Sequence, residues 1–185
     1  MNEENYLLKI YQLKSKEKIE RKNLLDLIQS IQKMNGIIGV QSFNSRVVIN
    51  ENQIRNAAWH ALIGYKSDKM IAKTLSLEIL LFISCQRQIN KVFELVGLPM
   101  TFNEAGLIII SNFSLNGYKE KEKEIDTIFV NTGFTLSDFS NKERKYDIKL
   151  IKETYEITDE EQLYDISKIE KIIHSKIALL RINNY

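Results

Sequence analysis

Residues 70–97 read Met-Ile-Ala-Lys-Thr-Leu-Ser-Leu-Glu-Ile-Leu-Leu-Phe-Ile-Ser-Cys-Gln-Arg-Gln-Ile-Asn-Lys-Val-Phe-Glu-Leu-Val-Gly. We expect the rest of the chain to pack around this segment. Its first half, 75–83, is apolar at nearly every position, which predicts a helix buried on all sides. One charged residue, Glu78, interrupts that apolar run. The second half, 86–96, is amphipathic. One side carries Ile89, Val92, Phe93 and Val96, and the other carries Arg87, Asn90, Lys91 and Glu94.

The residues around this central segment alternate between strand and helix patterns. We predict strands at 6–13, 37–43 and 105–111, a brief strand or strand end at 46–49, and helices at 20–34, 51–65, 119–130, 147–155 and from Asp165 or Ser167 onward. The helix of the central segment is expected to begin after Ser67 or Asp68 and to end at 97–99. A turn-rich region at 131–146 and a capping box at 158–161 complete the chain.

Two features of this pattern predict the architecture. The strand–helix–strand order over 6–43 suggests a crossover unit whose two strands are parallel neighbours. The apolar run 107–110 is typical of a central strand covered on both faces. We therefore predict an α/β (α+β-like) fold in a single domain over 1–185, with a helical cluster packed beside a small mixed β-sheet.

Composition excludes several classes of protein. The formal net charge of +2 is no signature of a dedicated nucleic-acid binder, so RNA contact would need a local patch. A single cysteine rules out an internal disulfide, and two histidines argue against a zinc cluster. The apolar run 75–83 is about half the ~18 residues that a membrane-spanning helix needs. We expect a cytoplasmic protein.

No common catalytic motif is present in the sequence. The seven glycines are scattered and form no phosphate-binding loop. His60 and His174 have no metal-ligand or triad spacing. Cys85 lies two residues from Arg87, which could lower its pKa, but a small buried cysteine is the commoner outcome. Glu78 is either a buried structural carboxylate or a catalytic acid, and the structural role is favoured because no second acid–base group stands at a recognisable spacing.

A polar stripe on the central segment is the remaining candidate for a binding surface. In one continuous helix, Lys73, Ser84, Arg87 and Lys91 would share a face, and an anion would relieve the repulsion between Arg87 and Lys91. The alternative is a solvated face on which Glu94 compensates Lys91. A break near 84–86 would dismantle the stripe but leave Arg87 near a helix start, where backbone N–H groups can bind phosphate.

The same residues carry a resemblance to a known family. Glu78-Ile79-Leu80, Ser84, Gln86-Arg87-Gln88-Ile89, Gly97 and the apolar strand at 107–110 resemble the small kinase-binding subunit of the KEOPS complex, the TPRKB family, in an archaeal-like form. The resemblance covers about 37–113 and 166–182. Cys85 stands where the family usually has Gly, and Lys73-Thr74 replaces the usual Asn-Ser. The helix at 20–34 and the charged region at 115–145 look longer than in compact members.

The resemblance implies a non-catalytic adaptor without metal or cofactor. Such members bind the small atypical kinase/ATPase of the complex and recruit tRNA through its 3′ CCA end for threonylcarbamoyl-adenosine modification. The implied RNA-binding residues are Arg87, Gln88, Ile89, Asn90, Lys91 and Lys73. For the kinase, the closing helix is our candidate, through exposed members of Ile173, Ile177, Leu179 and Leu180, with plain core packing as the alternative.

Two other hypotheses stay open at this stage. The chain could be a purely structural or allosteric kinase-binding protein without RNA binding, which the departures at Cys85 and Lys73 allow. It could also be a small enzyme that uses Glu78 or Cys85, provided that an open pocket reaches one of them.

Overall fold

The apolar run at 107–110 lies at the centre of a β-sheet, as the sequence predicts, and all its side chains are fully buried. A computed structural model describes residues 6–112, 115–140, 145–158 and 165–182. These residues divide into a sheet unit, within Met1–Phe43 and Leu98–Asn141, and a helical unit, within Asn44–Gly97 and Lys142–Tyr185.

The described elements mix helices and strands along the chain. In chain order they are β1 (Leu7–Glu20), α1 (Arg21–Gln32), β2 (Ile37–Phe43), a 3₁₀ turn (Ser45–Val47), α2 (Glu51–Lys66), α3 (Leu75–Ser84), α4 (Ile89–Val96), β3 (Thr101–Ser111), α5 (Leu115–Val130), β4 (Phe134–Asp138), α6 (Ile148–Thr154) and α7 (Ile166–Ile182). This mixture confirms the predicted α/β class. The assignment of one domain to residues 1–185 stays a prediction.

The order of strands in the sheet is β2-β3-β1-β4, and each neighbouring pair is antiparallel. The prediction of a mixed sheet with β1 and β2 as parallel neighbours is therefore wrong. β3 lies between them, because its continuous apolar run must be buried on both faces and so takes an inner position. β1 and β2 still run in the same direction, since both are antiparallel to β3.

One continuous apolar core fills the sheet unit. It joins the inward side chains of the strands to the buried faces of α1 and α5, and includes Tyr11, Leu13, Leu24, Ile31, Leu107, Ile109, Ile125 and Phe129. The buried hydroxyl of Tyr11 lies 3.1 Å from that of Tyr118 and donates to Glu122 at 2.6 Å. Burial and these hydrogen bonds raise the pKa of Tyr11 far above its usual value. The two buried tyrosine hydroxyls of this core thus have hydrogen-bond partners.

Several predicted boundaries move in the structure. β1 continues seven residues past the predicted end at residue 13, through the charged residues up to Glu20. The expected brief strand at 46–49 is a 3₁₀ turn, which the Asn44 side chain caps by accepting from the N–H of Arg46. The turn-rich region 131–146 contains β4, a strand too short for its alternation to stand out. The capping box at 158–161 lies largely outside the described residues.

In the helical unit, α3 is the buried helix that the sequence predicts. All of residues 75–83 are buried except Ser76 and Leu77. The alanines at 57, 58 and 61 of α2 are fully buried, and α2 and α3 are in contact. α7 buries Ile169, Ile173, Ile177 and Leu180, and Asp165 precedes it with its carboxylate accepting from the N–H of Lys168.

Gly106 of β3 allows close packing of the Phe43 ring from β2, so a substitution at Gly106 tests the register of these two strands. An added Cβ at Gly106 would overlap the ring of Phe43, its partner in β2, and that ring is fully buried. Gly106→Ala should lower the free energy of unfolding by about 3 kcal/mol, the upper end for overpacking.

The matched control for this prediction is Gly133→Ala, measured by urea unfolding followed by circular dichroism. Gly133 has a positive φ of 82° but open space around it, so alanine there should cost only about 1 kcal/mol of conformational strain. Equal costs at the two positions would contradict the assigned register of β2 on β3.

Candidate nucleic-acid interface

Glu78 organises the start of α3. Its carboxylate is fully buried and accepts two backbone hydrogen bonds from the preceding loop, from the N–H of Ile71 at 3.1 Å and from that of Ala72 at 2.7 Å. Burial raises the pKa of Glu78 above its usual value near 4.5, although these two hydrogen bonds and the charge of Arg181 oppose the shift. The geometry supports a structural role for this carboxylate.

Three helices meet around this carboxylate. An added Cβ on Gly64 of α2 would lie 3.0 Å from Nη1 of Arg181 on α7 and 3.4 Å from Oε1 of Glu78 on α3. Gly64 therefore provides the space in which the two buried charged side chains approach each other. Burial and the charge of Arg181 also lower the pKa of His60, one turn earlier on α2, so this imidazole is held in its neutral form.

The other end of α3 stops at a left-handed residue. Cys85 has a φ of 55°, its N–H donates to the carbonyl of Phe82 at 3.3 Å, and the N–H of Gln86 donates to that of Leu81 at 3.1 Å. This pair of bonds defines a Schellman motif, in which the left-handed position is usually Gly. The family resemblance also expects Gly here, so the backbone turn that Gly would favour is formed with Cys.

The break after α3 corrects the prediction of a continuous polar stripe. Lys73 precedes α3, whose first turn is capped by Thr74, whereas Arg87 follows the helix. An α-helix of 10 residues is about 15 Å long. Lys73 and Arg87 therefore lie at opposite ends of a helix of about that length. The alternative of a break near 84–86, with Arg87 just before the next helix, is the arrangement observed.

Both cations beside the break have partners within the helical unit. Nη2 of Arg87 donates to the carbonyl of Leu180 at 3.4 Å, and this is one of the contacts that Arg87 makes within the chain. Nζ of Lys91 forms an ion pair with Glu156 at 3.0 Å, and this contact lowers the pKa of Glu156. The expected compensation of Lys91 by Glu94 is therefore wrong, because Glu156 supplies the carboxylate. These side chains fix the loop after α3 against the segments around α6 and α7.

The short helix α4 turns a mixed apolar and polar face outward. It buries Val92 and Val96, whereas Ile89 is 45% exposed and Phe93 51% exposed. Ile89 and Phe93 belong to the apolar side of the predicted pattern but are half exposed, because eight residues form only about two turns and two apolar positions suffice to anchor them. Gln88 and Asn90 are exposed beside them.

Phe93 is the residue of this face that the sequence reasoning missed. It lies one turn after Ile89, and the two form an exposed apolar strip on α4, whose other side carries Lys91. An exposed aromatic side chain among cations is typical of surfaces that bind single-stranded nucleic acid. We call residues 87–91 together with Phe93 the α4 face. Of the predicted RNA-binding residues, only Lys73 lies outside it.

A cavity of about 210 Å³ adjoins the loop after α3. Its lining comes from residues 84–86, residues 154–156, Lys176, Leu179 and Leu180. Cys85 is one of these residues, but burial raises the pKa of its thiol to about 12, despite the nearby charge of Lys176. The thiol is therefore protonated at neutral pH and is no activated nucleophile.

The four residues predicted to face a kinase are mostly buried. Ile173 and Ile177 are fully buried and Leu180 is nearly so, because they form the stripe of α7 that packs inside the helical unit. For these three residues the alternative of core packing is the one observed. Leu179 is 54% exposed, and the pattern misses Trp59 of α2, which is 64% exposed.

The buried carboxylate makes stability depend on pH. Because the pKa of Glu78 is raised in the folded state, folding is favoured by the protonated form. That contribution is complete below the unfolded value near 4.5 and is lost as pH rises through the folded value. Glu78→Gln removes this titration. The stability of the variant relative to the wild type should therefore increase as the pH rises.

Urea unfolding of both proteins between pH 4.5 and 7.5 measures this difference. Glu104→Gln, on the partly exposed surface of β3, serves as the control for removing one carboxylate. A difference between Glu78→Gln and wild type that stays constant with pH would contradict the raised pKa.

Within the four described ranges, no group of three or more histidine, cysteine or acidic side chains is arranged to hold a metal ion. In the same part of the chain, no helix has the length and apolar character needed to cross a lipid bilayer. The absence of a metal or cofactor stays a prediction.

Comparison with known proteins identifies one family. No curated protein matches the sequence. The model of the family described as kinase binding protein CGI-121 matches residues 17–181, a range that includes α3, the α4 face and most of α7. Because this match spans most of the 185 residues, the chain belongs to the CGI-121 family of kinase binding proteins.

Proposed function

We propose that this chain is a non-catalytic subunit of a KEOPS-type complex, in which it binds the small atypical kinase/ATPase and recruits tRNA through the single-stranded 3′ CCA end. On this proposal the chain acts in the cytoplasm, and the threonylcarbamoyl-adenosine chemistry belongs to its partners. Membership of a family of kinase binding proteins supports the first half of the proposal. The second half depends on the α4 face.

The observation that supports the RNA proposal is the exposure of Ile89 and Phe93 on the short helix that follows Arg87 and also carries Lys91. Single-stranded RNA is commonly held by cations on its phosphates and by aromatic or apolar side chains under its bases. Arg87 donates through Nη2 to a backbone carbonyl, and arginine has five N–H donors in a planar arrangement that suits a phosphate. Gln88 and Asn90 add exposed amides that can hydrogen-bond base edges.

Lys73 has a different place in this proposal. It is exposed on the loop that Glu78 holds at the opposite end of α3. A contact from Lys73 would therefore reach a part of the RNA other than the nucleotides on the α4 face. Its loss should weaken tRNA binding without changing the dependence on the CCA end.

For the kinase, we propose a contact through Trp59 and Leu179. Tryptophan is enriched among the residues that dominate binding energy at protein interfaces, and Trp59 is 64% exposed. Trp59 is on α2 and Leu179 on α7, two helices that contact each other in the helical unit. The buried residues Ile173 and Ile177 would act only by supporting α7.

One observation favours a kinase-binding protein without RNA binding. Arg87 and Lys91 both have partners within the chain, as they would if they served only to hold the loop after α3. The two functions differ in what they require of Phe93, because a structural role for the loop gives no reason for an exposed aromatic ring.

Gel-shift titration with tRNA transcripts tests the α4 face. Arg87→Glu replaces an attraction to phosphate with a repulsion, and Phe93→Ala removes a stacking surface worth about 1–3 kcal/mol per base. Each variant should bind intact tRNA about tenfold or more weakly than wild type. A tRNA lacking the CCA end should bind wild type and Phe93→Ala equally weakly.

The matched control is Lys33→Glu, an exposed charge reversal outside the α4 face, which should leave tRNA affinity unchanged. Unaltered affinity of Arg87→Glu and Phe93→Ala, with normal kinase binding, would leave the purely structural function as the correct one.

Isothermal titration calorimetry with the cognate small kinase tests the proposed contact through Trp59 and Leu179. Trp59→Ala and Leu179→Asp should weaken binding, with Trp59→Ala costing about 2 kcal/mol, or roughly 30-fold in affinity. Leu25→Ala, an exposed apolar truncation on α1, is the control. Kinase affinity that survives both changes would place the interface elsewhere on the chain.

A further inference from the structure

A second cleft lies entirely within the sheet unit and takes no part in the proposed function. It encloses about 650 Å³ between the end of β1 and the turn from α5 to β4. The walls are residues 14–19 on one side, and Val130 with residues 132–135 on the other. It is therefore large enough for a short stretch of an extended chain.

The cleft exists because β4 is shorter than β1 and pairs with only part of it. β4 pairs with β1 only from Tyr11 to Ser15, whereas β1 continues to Glu20. Beyond Ser15, no described strand covers β1 on the side of β4. The pairing of β1 with β3 is also irregular between Lys14 and Ile19. This leaves an edge of β1 with which no described strand pairs, where an added strand can bind. Within that edge, the N–H of Glu17 donates to Oγ of Ser15 at 3.3 Å.

The side chains that line this open edge carry a net positive charge. Lys14, Lys16 and Lys18 line the cleft together with one carboxylate, Glu17, and Glu20 ends β1 just beyond the lining. Glu104 is the cross-strand partner of Lys14 on β3. No carboxylate in the described ranges forms an ion pair with these three lysines. Their positive charge is thus available to a bound partner.

The charge also decides between occupants. Lysines on an open edge oppose pairing with a second copy of the same edge, because like charges would face each other. The same lysines attract a strand that carries carboxylates. Val130, 63% exposed at the end of α5, offers an apolar contact for such a strand. The lining contains no exposed aromatic ring on which an RNA base could stack.

We propose that this cleft, the β1 edge cleft, binds an extended acidic peptide segment of a partner protein, which adds to the sheet as a strand beside residues 16–20 of β1. Main-chain hydrogen bonds would supply affinity, and pairs of carboxylates with Lys16 and Lys18 would supply specificity. A segment of five residues at about 3.3 Å each matches the uncovered length of β1. The site is separate from the α4 face, and its ligand class is different.

Fluorescence anisotropy with synthetic peptides tests this proposal on the full chain. The probe is a fluorescein-labelled peptide Glu-Val-Glu-Val-Glu-Val. It should bind saturably, and neither its lysine counterpart nor the same acidic peptide with alternate amides N-methylated should bind. The N-methylated peptide keeps the charge but cannot form a strand ladder, so equal binding of that peptide would overturn strand addition.

Variants of the cleft provide the second part of the test. The double change Lys16→Glu and Lys18→Glu should weaken peptide binding by about tenfold or more, whereas Lys33→Glu should not. Val130→Ser should weaken it by a smaller factor. Circular dichroism and an unchanged affinity for tRNA through the α4 face would show that the fold is intact and that the two sites are independent.

The remaining outcomes overturn the proposal. A labelled oligouridylate that competes with the peptide and loses binding in the double variant would make the cleft an RNA site. Dimerisation of the wild type that the peptide displaces would make it an interface between copies. If the acidic peptide does not bind saturably, the lysines serve only to keep the open sheet edge from pairing with other chains.

Discussion

A carboxylate removed from water must be hydrogen-bonded or neutralised, and the helical unit is arranged around this requirement at Glu78. The side chain projects from the most apolar helix of the protein, so its partners have to come from elsewhere. Two backbone N–H groups of the loop before α3 provide them, and Arg181 approaches from α7. Gly64 of α2 leaves room beside it for the side chains of both Glu78 and Arg181. One buried charge thereby fixes a loop and the relative positions of three helices.

The two ends of α3 consequently have different characters. The N-terminal end is held by the buried carboxylate and by the Thr74 cap. At the C-terminal end, the left-handed turn at Cys85 stops the helix and redirects the chain into α4. The helix that follows, α4, buries only Val92 and Val96 and leaves Ile89 and Phe93 about half exposed. The candidate interface is thus a product of where α3 ends.

The sequence predicts the elements whose signal is local and strong. The apolar runs 75–83 and 107–110, the alanine-rich α2 and the stripe of α7 all appear where their periodicity indicates. Features that depend on partners distant in the chain are missed. β3 pairs with both β1 and β2, and Lys91 pairs with Glu156 rather than with Glu94. The spacing of nearby residues in the sequence predicts neither pairing.

The candidate site shows the same division between local and distant signals. Residues 87–91 were identified through their resemblance to a family motif. Helical periodicity places Phe93 on the apolar side of the segment but does not reveal how short α4 is, so the exposure of Phe93 is missed. Trp59 could have been found from sequence alone, since the predicted buried face of α2 uses positions 54, 57, 58 and 61 and leaves position 59 outside it. The single Trp on an unburied position is a signal for an interface.

The turn at Cys85 has a consequence for how this protein can be observed. Cys85 is the only cysteine of the chain, and its thiol is kept protonated in the folded state. An unfolded thiol ionises near pH 8.5 and reacts with alkylating reagents about as a free cysteine does. The chain therefore contains its own chemical reporter. The rate of alkylation at this single sulfur follows the opening of the junction between α3 and α4, the part of the helical unit from which the candidate interface is built.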